Sequence, residues 1–74
     1  MNTKEARTLV RDYEEVQSGI NRLSDCGVQV VNVRVRKTKV VADVIHLDYT
    51  EKTTKRTNDV EFPIADLENF RKQG

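Results

Sequence analysis

The side chains able to do chemistry in this chain are few. His46 is the only histidine and Cys26 the only cysteine. A thiol nucleophile needs a base within hydrogen-bond reach, and nothing in the spacing of these two residues brings them together. A zinc or calcium site needs three or four ligands, whereas the acidic residues stand singly among basic ones. The adjacent Glu14 and Glu15 fall on the solvated side of a helix. Gly19, Gly27 and Gly74 are the three glycines, so no glycine-rich phosphate loop exists. The expectation is a non-enzymatic protein with no cofactor, no metal and no small-molecule substrate.

Basic residues offer the other candidate chemistry. Thirteen Lys and Arg against twelve Asp and Glu leave a net charge of +1. That balance is far from that of a strongly basic nucleic-acid binder. Charge is nonetheless segregated: residues 34–56 hold seven basic and three acidic side chains, a local +4. Arg34, Arg36, Lys37 and Lys39 surround one turn, and a β-ribbon with a basic tip can track a phosphate backbone. Four phosphate contacts would give a salt slope of about −3.6 on duplex DNA. No aromatic side chain accompanies the tip to stack on bases.

The elements that must position these residues follow from hydrophobic periodicity. Ala6, Leu9, Tyr13, Val16, Ile20 and Leu23 recur at steps of three and four, predicting a helix over 3–26. Arg11, Asp12, Glu14, Glu15 and Arg22 form its solvated side. Asn2 and Glu5 read as a capping box, and Gly27 as the stop. Gly19 falls mid-helix, at a cost of roughly 1 kcal/mol against alanine or as a mark of close backbone packing. Tyr13 is expected at the edge of the stripe with its hydroxyl in water. From Val28 the period becomes two, predicting strands over 28–36 and 39–50 around a turn at Lys37-Thr38. Residues 51–56 read as a polar loop, 57–62 as a short third strand, and 63–72 as a helix that Pro63 opens and Ile64, Leu67 and Phe70 bury. The fold expected is α+β: αβββα in one domain of 1–74, with a three-stranded antiparallel meander, a long N-terminal helix across one face and a short C-terminal helix.

A two-residue turn pairs Val35 with Val40, Val33 with Ala42, Val31 with Val44, Val30 with Ile45 and Val28 with Leu47. A six-residue loop then pairs Leu47 with Val60 and Ile45 with Phe62. His46 lies across from Glu61. Facing residues share a side of the sheet, so two apolar sets emerge. Val28, Val30, Ile45, Leu47, Tyr49, Val60 and Phe62 floor the first helix. Val31, Val33, Val35, Val40, Ala42 and Val44 lie on the other side. Either a β-bulge in each strand, or a different turn length, restores a single face, or the second set buries against another chain. Those six residues are the expected oligomer or partner interface.

At 8.5 kDa the chain buries only about 60% of its unfolded surface, and one cysteine and one histidine provide neither a disulfide nor a zinc staple. A partner subunit is the remaining aid to stability. No run reaches the 18 to 20 apolar residues of a membrane span. Residues 1–4 lead straight into charged sequence, so no secretory leader is expected, and the lone cysteine suits a reducing, cytoplasmic setting. The function expected is a protein-binding module, homodimeric, that acts stoichiometrically as a modulator or inhibitor of a larger, unidentified protein. The alternative is a nucleic-acid-binding module using the basic tip.

Overall fold

The structure, a computed structural model, describes residues 1–21 and 23–73. The element order is α1 (Thr3–Gln17), β1 (Cys26–Val35), β2 (Lys39–Asp48), β3 (Thr53–Pro63) and α2 (Ile64–Gln73). The three strands form one antiparallel sheet in the order β1-β2-β3, the αβββα arrangement expected.

Helix α1 starts where the sequence places it. The Asn2 carboxamide oxygen accepts the Glu5 amide at 2.8 Å and its nitrogen donates to Glu5 Oε1 at 3.0 Å, satisfying an amide that the helix leaves without a partner. The end is earlier than expected. Gly19 is the stop, not a mid-helix residue: it takes φ +71°, Ile20 N–H donates to Glu15 C=O at 2.8 Å, and Gly19 N–H donates to Val16 C=O at 3.1 Å. This crossed pair is a Schellman motif, which needs a left-handed residue that glycine supplies without a Cβ clash. An Asn21-centred turn follows, with Leu23 N–H donating to Asn21 Oδ1 at 2.8 Å. Leu23, expected on the helix stripe, is therefore 93% exposed. Arg22, assigned to the solvated side, lies outside the described residues.

The buried line of α1 is Ala6 and Val10, flanked by Leu9 and Tyr13. Val16, outside that line, is exposed. Tyr13 is half-buried beside that line. It makes edge-to-face contacts with Phe62 (6.1 Å between centroids) and Phe70 (5.5 Å), tying both helices to the sheet. Helix α2 is held by Leu67, fully buried, and by its first amide, Ile64 N–H, which donates to Thr38 C=O at 3.0 Å in the β1-β2 turn.

Register decides the rest. Val35 pairs with Val40 as expected, but Val31 then pairs with Asp43, Val30 with Val44 and Val28 with His46. One extra β1 residue lies in the Asn32-Val33 stretch, and Asn32 has φ 54°. On the other side Ala42 pairs with Val60 and Val44 with Thr57, so the Asn58-Asp59 stretch also carries an extra residue, with Asp59 again at φ 54°. Two outer strands thus bulge at the same level of a straight β2, rather than one bulge in each hairpin strand. β3 is also longer than the expected 57–62. Asp48 Oδ1 accepts the Thr50 and Glu51 amides at 3.0 and 3.1 Å, closing a tight turn, and the β-branched Thr53 and Thr54 then extend the strand. Leu47 accordingly pairs with Thr54 and Ile45 with Arg56, not with Val60 and Phe62.

The bulges gather one core. Val28, Val30, Val40, Ala42, Val44, Phe62, Ala6, Val10 and Leu67 are buried, with Val33, Val35 and Val60 packed against them. Each fully buried valine-sized side chain contributes about 1.5–3 kcal/mol.

Candidate interaction surface

Residues that alternate with the core positions line the sheet face turned away from α1. On β2 these are Val41, Asp43, Ile45 and Leu47; β1 adds Gly27, Gln29 and Val31, and β3 adds Thr54, Arg56 and Glu61. The face divides at Asp43 into a charged half and an apolar half.

The charged half is closed upon itself. Asp43 is buried at 4% exposure. Its carboxylate accepts the Asp59 amide at 3.0 Å and Arg56 at 2.8 Å, with longer contacts to Asn32 and Arg34 at 3.5 Å each. The Asp59 amide first, then Arg56, hold its carboxyl below the usual aspartate range against the opposing effect of burial. Arg34 also pairs with Asp59 at 2.9 Å, and Lys39 with Glu61 at 2.8 Å. Both bulges aim at this carboxylate: one supplies Asn32, the other the Asp59 amide. No buried polar side-chain atom among the described residues lacks a partner.

The apolar half comprises Val31, Ile45, Leu47 and Tyr49. A Cβ on Gly27 would meet the Tyr49 hydroxyl at 2.9 Å, so the tyrosine lies across the bare backbone at Gly27 while remaining 62% exposed. Val31, Ile45 and Leu47 are half-buried.

These positions revise the sequence-derived assignments. Of the six expected interface residues, Val40, Ala42 and Val44 are in the core, and Val33 and Val35 pack against it. Only Val31 lies on the open face. Ile45, Leu47 and Tyr49, expected beneath the first helix, are on that face instead. The reason is the bulge at Asn32, which rotates residues 26–31 by one position relative to Val35. Of the four tip cations, Arg34 and Lys39 are spent in ion pairs, while Arg36 and Lys37 are exposed and unpaired among the described residues. Asp43 carried no sequence signal beyond being a charge in a valine-rich strand.

His46 pairs with Lys55 across the strands rather than with Glu61 and faces α1. Its Nε2 lies 3.1 Å from Glu14 Oε1 and 3.4 Å from Ser18 Oγ. In a catalytic triad the nucleophilic hydroxyl and the orienting carboxylate bind opposite ring nitrogens of the histidine; here the Ser18 hydroxyl and the Glu14 carboxylate share Nε2. Cys26 is exposed and lines the same shallow depression of about 440 Å³ as His46, which the sequence spacing did not indicate. Among the described residues no three His, Cys, Asp or Glu side chains are placed to hold a metal ion. No helix is long and apolar enough to cross a membrane. Compared with protein-family models, curated proteins and solved structures, the chain matches none.

Proposed function

We propose that this protein is a non-enzymatic protein-binding module, a homodimer joined through its open sheet faces, that acts stoichiometrically on a larger protein. The observation that carries this reading is the apolar half of that face. A three-stranded sheet with one face in water ordinarily alternates apolar and polar along its strands, yet Ile45, Leu47 and Val31 stand on the open side with Tyr49 beside them.

A second copy is the occupant the geometry favours. Strands of 10 and 11 residues, at about 3.4 Å rise and about 4.8 Å spacing, give a face of roughly 34 by 14 Å. Two such faces bury on the order of 1,000 Å², the lower bound of a specific interface. Two sheets pack face to face about 10 Å apart. The Arg34, Arg56, Asp43, Asp59, Lys39 and Glu61 set sums to zero charge, so a two-fold contact brings no net repulsion. Dimerisation also answers the thin core of a chain this short. Arg36 and Lys37 are what remain for the nucleic-acid reading, and two phosphate contacts limit its salt slope to about −1.8.

The test is mass by light scattering over micromolar to sub-millimolar concentrations. The parent should approach twice the monomer mass, and Leu47→Asp should remain monomeric with its melting temperature in the dilute range preserved. A monomeric parent throughout, or a Leu47→Asp variant that still dimerises, defeats the proposal.

A further inference from the structure

We infer that the free edge of β1 is a strand-addition site for an acidic, extended segment of the partner protein. The inference rests on the reading of the chain as a protein-binding module but uses a surface separate from the open sheet face.

Both outer strands present unpaired backbone, and they are not alike. β3 carries Lys55, Arg56, Asp59 and Glu61, a bulge and a terminal Pro63, the features that blunt an edge. β1 from Cys26 to Val33 has no charge and no proline, and its first six residues pair with β2 without a break.

The phase of its hydrogen bonds follows from Tyr49 N–H, which donates to Asp25 C=O at 2.8 Å. Antiparallel pairs alternate between bonded and non-bonded. Gly27, Gln29 and Val31 therefore exchange bonds with β2, and the amides and carbonyls of Cys26, Val28 and Val30 point outward. The side chains of Val28 and Val30 are buried, so this edge is already ordered before anything binds.

Charge selects the occupant. The α1 flank above this edge carries Lys4, Arg7 and Arg11, and Arg7, Thr8 and Arg11 form a groove of about 320 Å³ with residues 28–31. Arg11 is engaged by Asp12 and Glu15; Lys4 and Arg7 are exposed and make no ion pair among the described residues. An added strand turns every second side chain toward this flank, and acidic residues there meet the three cations. Its alternate side chains extend the apolar half of the open face beside Val31. A second copy adding through its own β1 would set Lys4, Arg7 and Arg11 of both helices on the same side of one sheet, against each other.

The probe is a capped peptide of alternating Glu and Val long enough to span residues 26–31, titrated into ¹⁵N-labelled protein. Hydrogen exchange at the Val28 and Val30 amides should slow, while Gln29 and Val31, already bonded to β2, stay as they were. Lys4→Glu with Arg7→Glu, at the two cations that make no ion pair, should weaken binding by roughly tenfold or more at unchanged melting temperature, and a Lys-Val peptide should then bind in its place. Repeating the titration on Leu47→Asp separates this site from the dimer: peptide binding that persists in the monomer supports it independently of the open face. Absence of protection at Val28 and Val30, or equal binding of the Glu-Val and Lys-Val peptides to the parent, overturns the inference. Protection that appears with protein concentration alone overturns it in favour of a second copy.

Discussion

Deleting Asn32 should remove the bulge and leave the buried face unchanged. Residues 32 and 33 together oppose Ala42, between the pairs Val31–Asp43 and Arg34–Val41. With Asn32 gone, Val33 stands opposite Ala42 by itself, and alternation keeps Val28, Val30, Val33 and Val35 beneath α1. What is lost is a 3.5 Å contact to Asp43, and a left-handed non-glycine residue goes with it, so stability should stay within about 1 kcal/mol of the parent. A flipped face would instead turn Val28 and Val30, 8% and 4% exposed, to water. Two lost valine burials cost about 3–6 kcal/mol, of the roughly 4–11 kcal/mol available to a domain of this size. At about 4–8 °C per kcal/mol, that would lower the midpoint by at least about 12 °C. Thermal melts followed by circular dichroism separate the two outcomes. Asn32→Gly is the control: glycine adopts the left-handed conformation freely, so its stability should also stay within about 1 kcal/mol of the parent. A deletion variant whose midpoint falls by about 12 °C or more would refute the reasoning that Asn32 is the residue the bulge absorbs.

Gly19→Ala tests the helix stop. Nothing lies within 4 Å of a Cβ built there, so the cost is the left-handed backbone alone, about 1–2 kcal/mol, readable in urea unfolding. Asp43→Asn tests the buried carboxylate. Because its folded pKa lies below the ordinary 3.8, its stabilisation is complete above the unfolded value and is lost as pH falls through the lower folded one. The variant should be less stable at neutral pH, and the difference from the parent should shrink in acid; a difference that stays constant down to acid pH would exclude the ionised carboxylate as its source.

The elements that were legible in the sequence are those set by neighbours along the chain. Asn2 and Glu5 cap α1 through bonds that span three residues. Val28 to Val35 and Lys39 to Asp48 alternate as strands because β-branched side chains suit a pleated surface. Pro63 separates β3 from α2 because it lacks the amide a strand or helix interior needs. The helix stop was not legible: Ile20 and Leu23 continue the apolar spacing past Gly19, which puts the expected stop at Gly27 and Gly19 mid-helix. Local periodicity alone cannot rank the two signals.

The candidate surface was partly legible. Two apolar faces on one sheet followed from counting, and the basic tip from composition. Their membership did not, since one extra residue in β1 and one in β3 exchange Val40, Ala42 and Val44 for Ile45, Leu47 and Tyr49 on the open side. Asn32 and Asp59 tolerate left-handed geometry, but so do other polar residues that stay extended. What makes these two bulge is Asp43, whose buried carboxylate draws the Asp59 amide and Arg56 from β3 and, more loosely, Asn32 and Arg34 from β1. Alternation and caps are properties of a few adjacent residues, so the chain alone determined the element order. Register is a property of strands meeting across 11 to 16 residues of chain around one carboxylate, so only the tertiary structure decided which valines are core and which face outward.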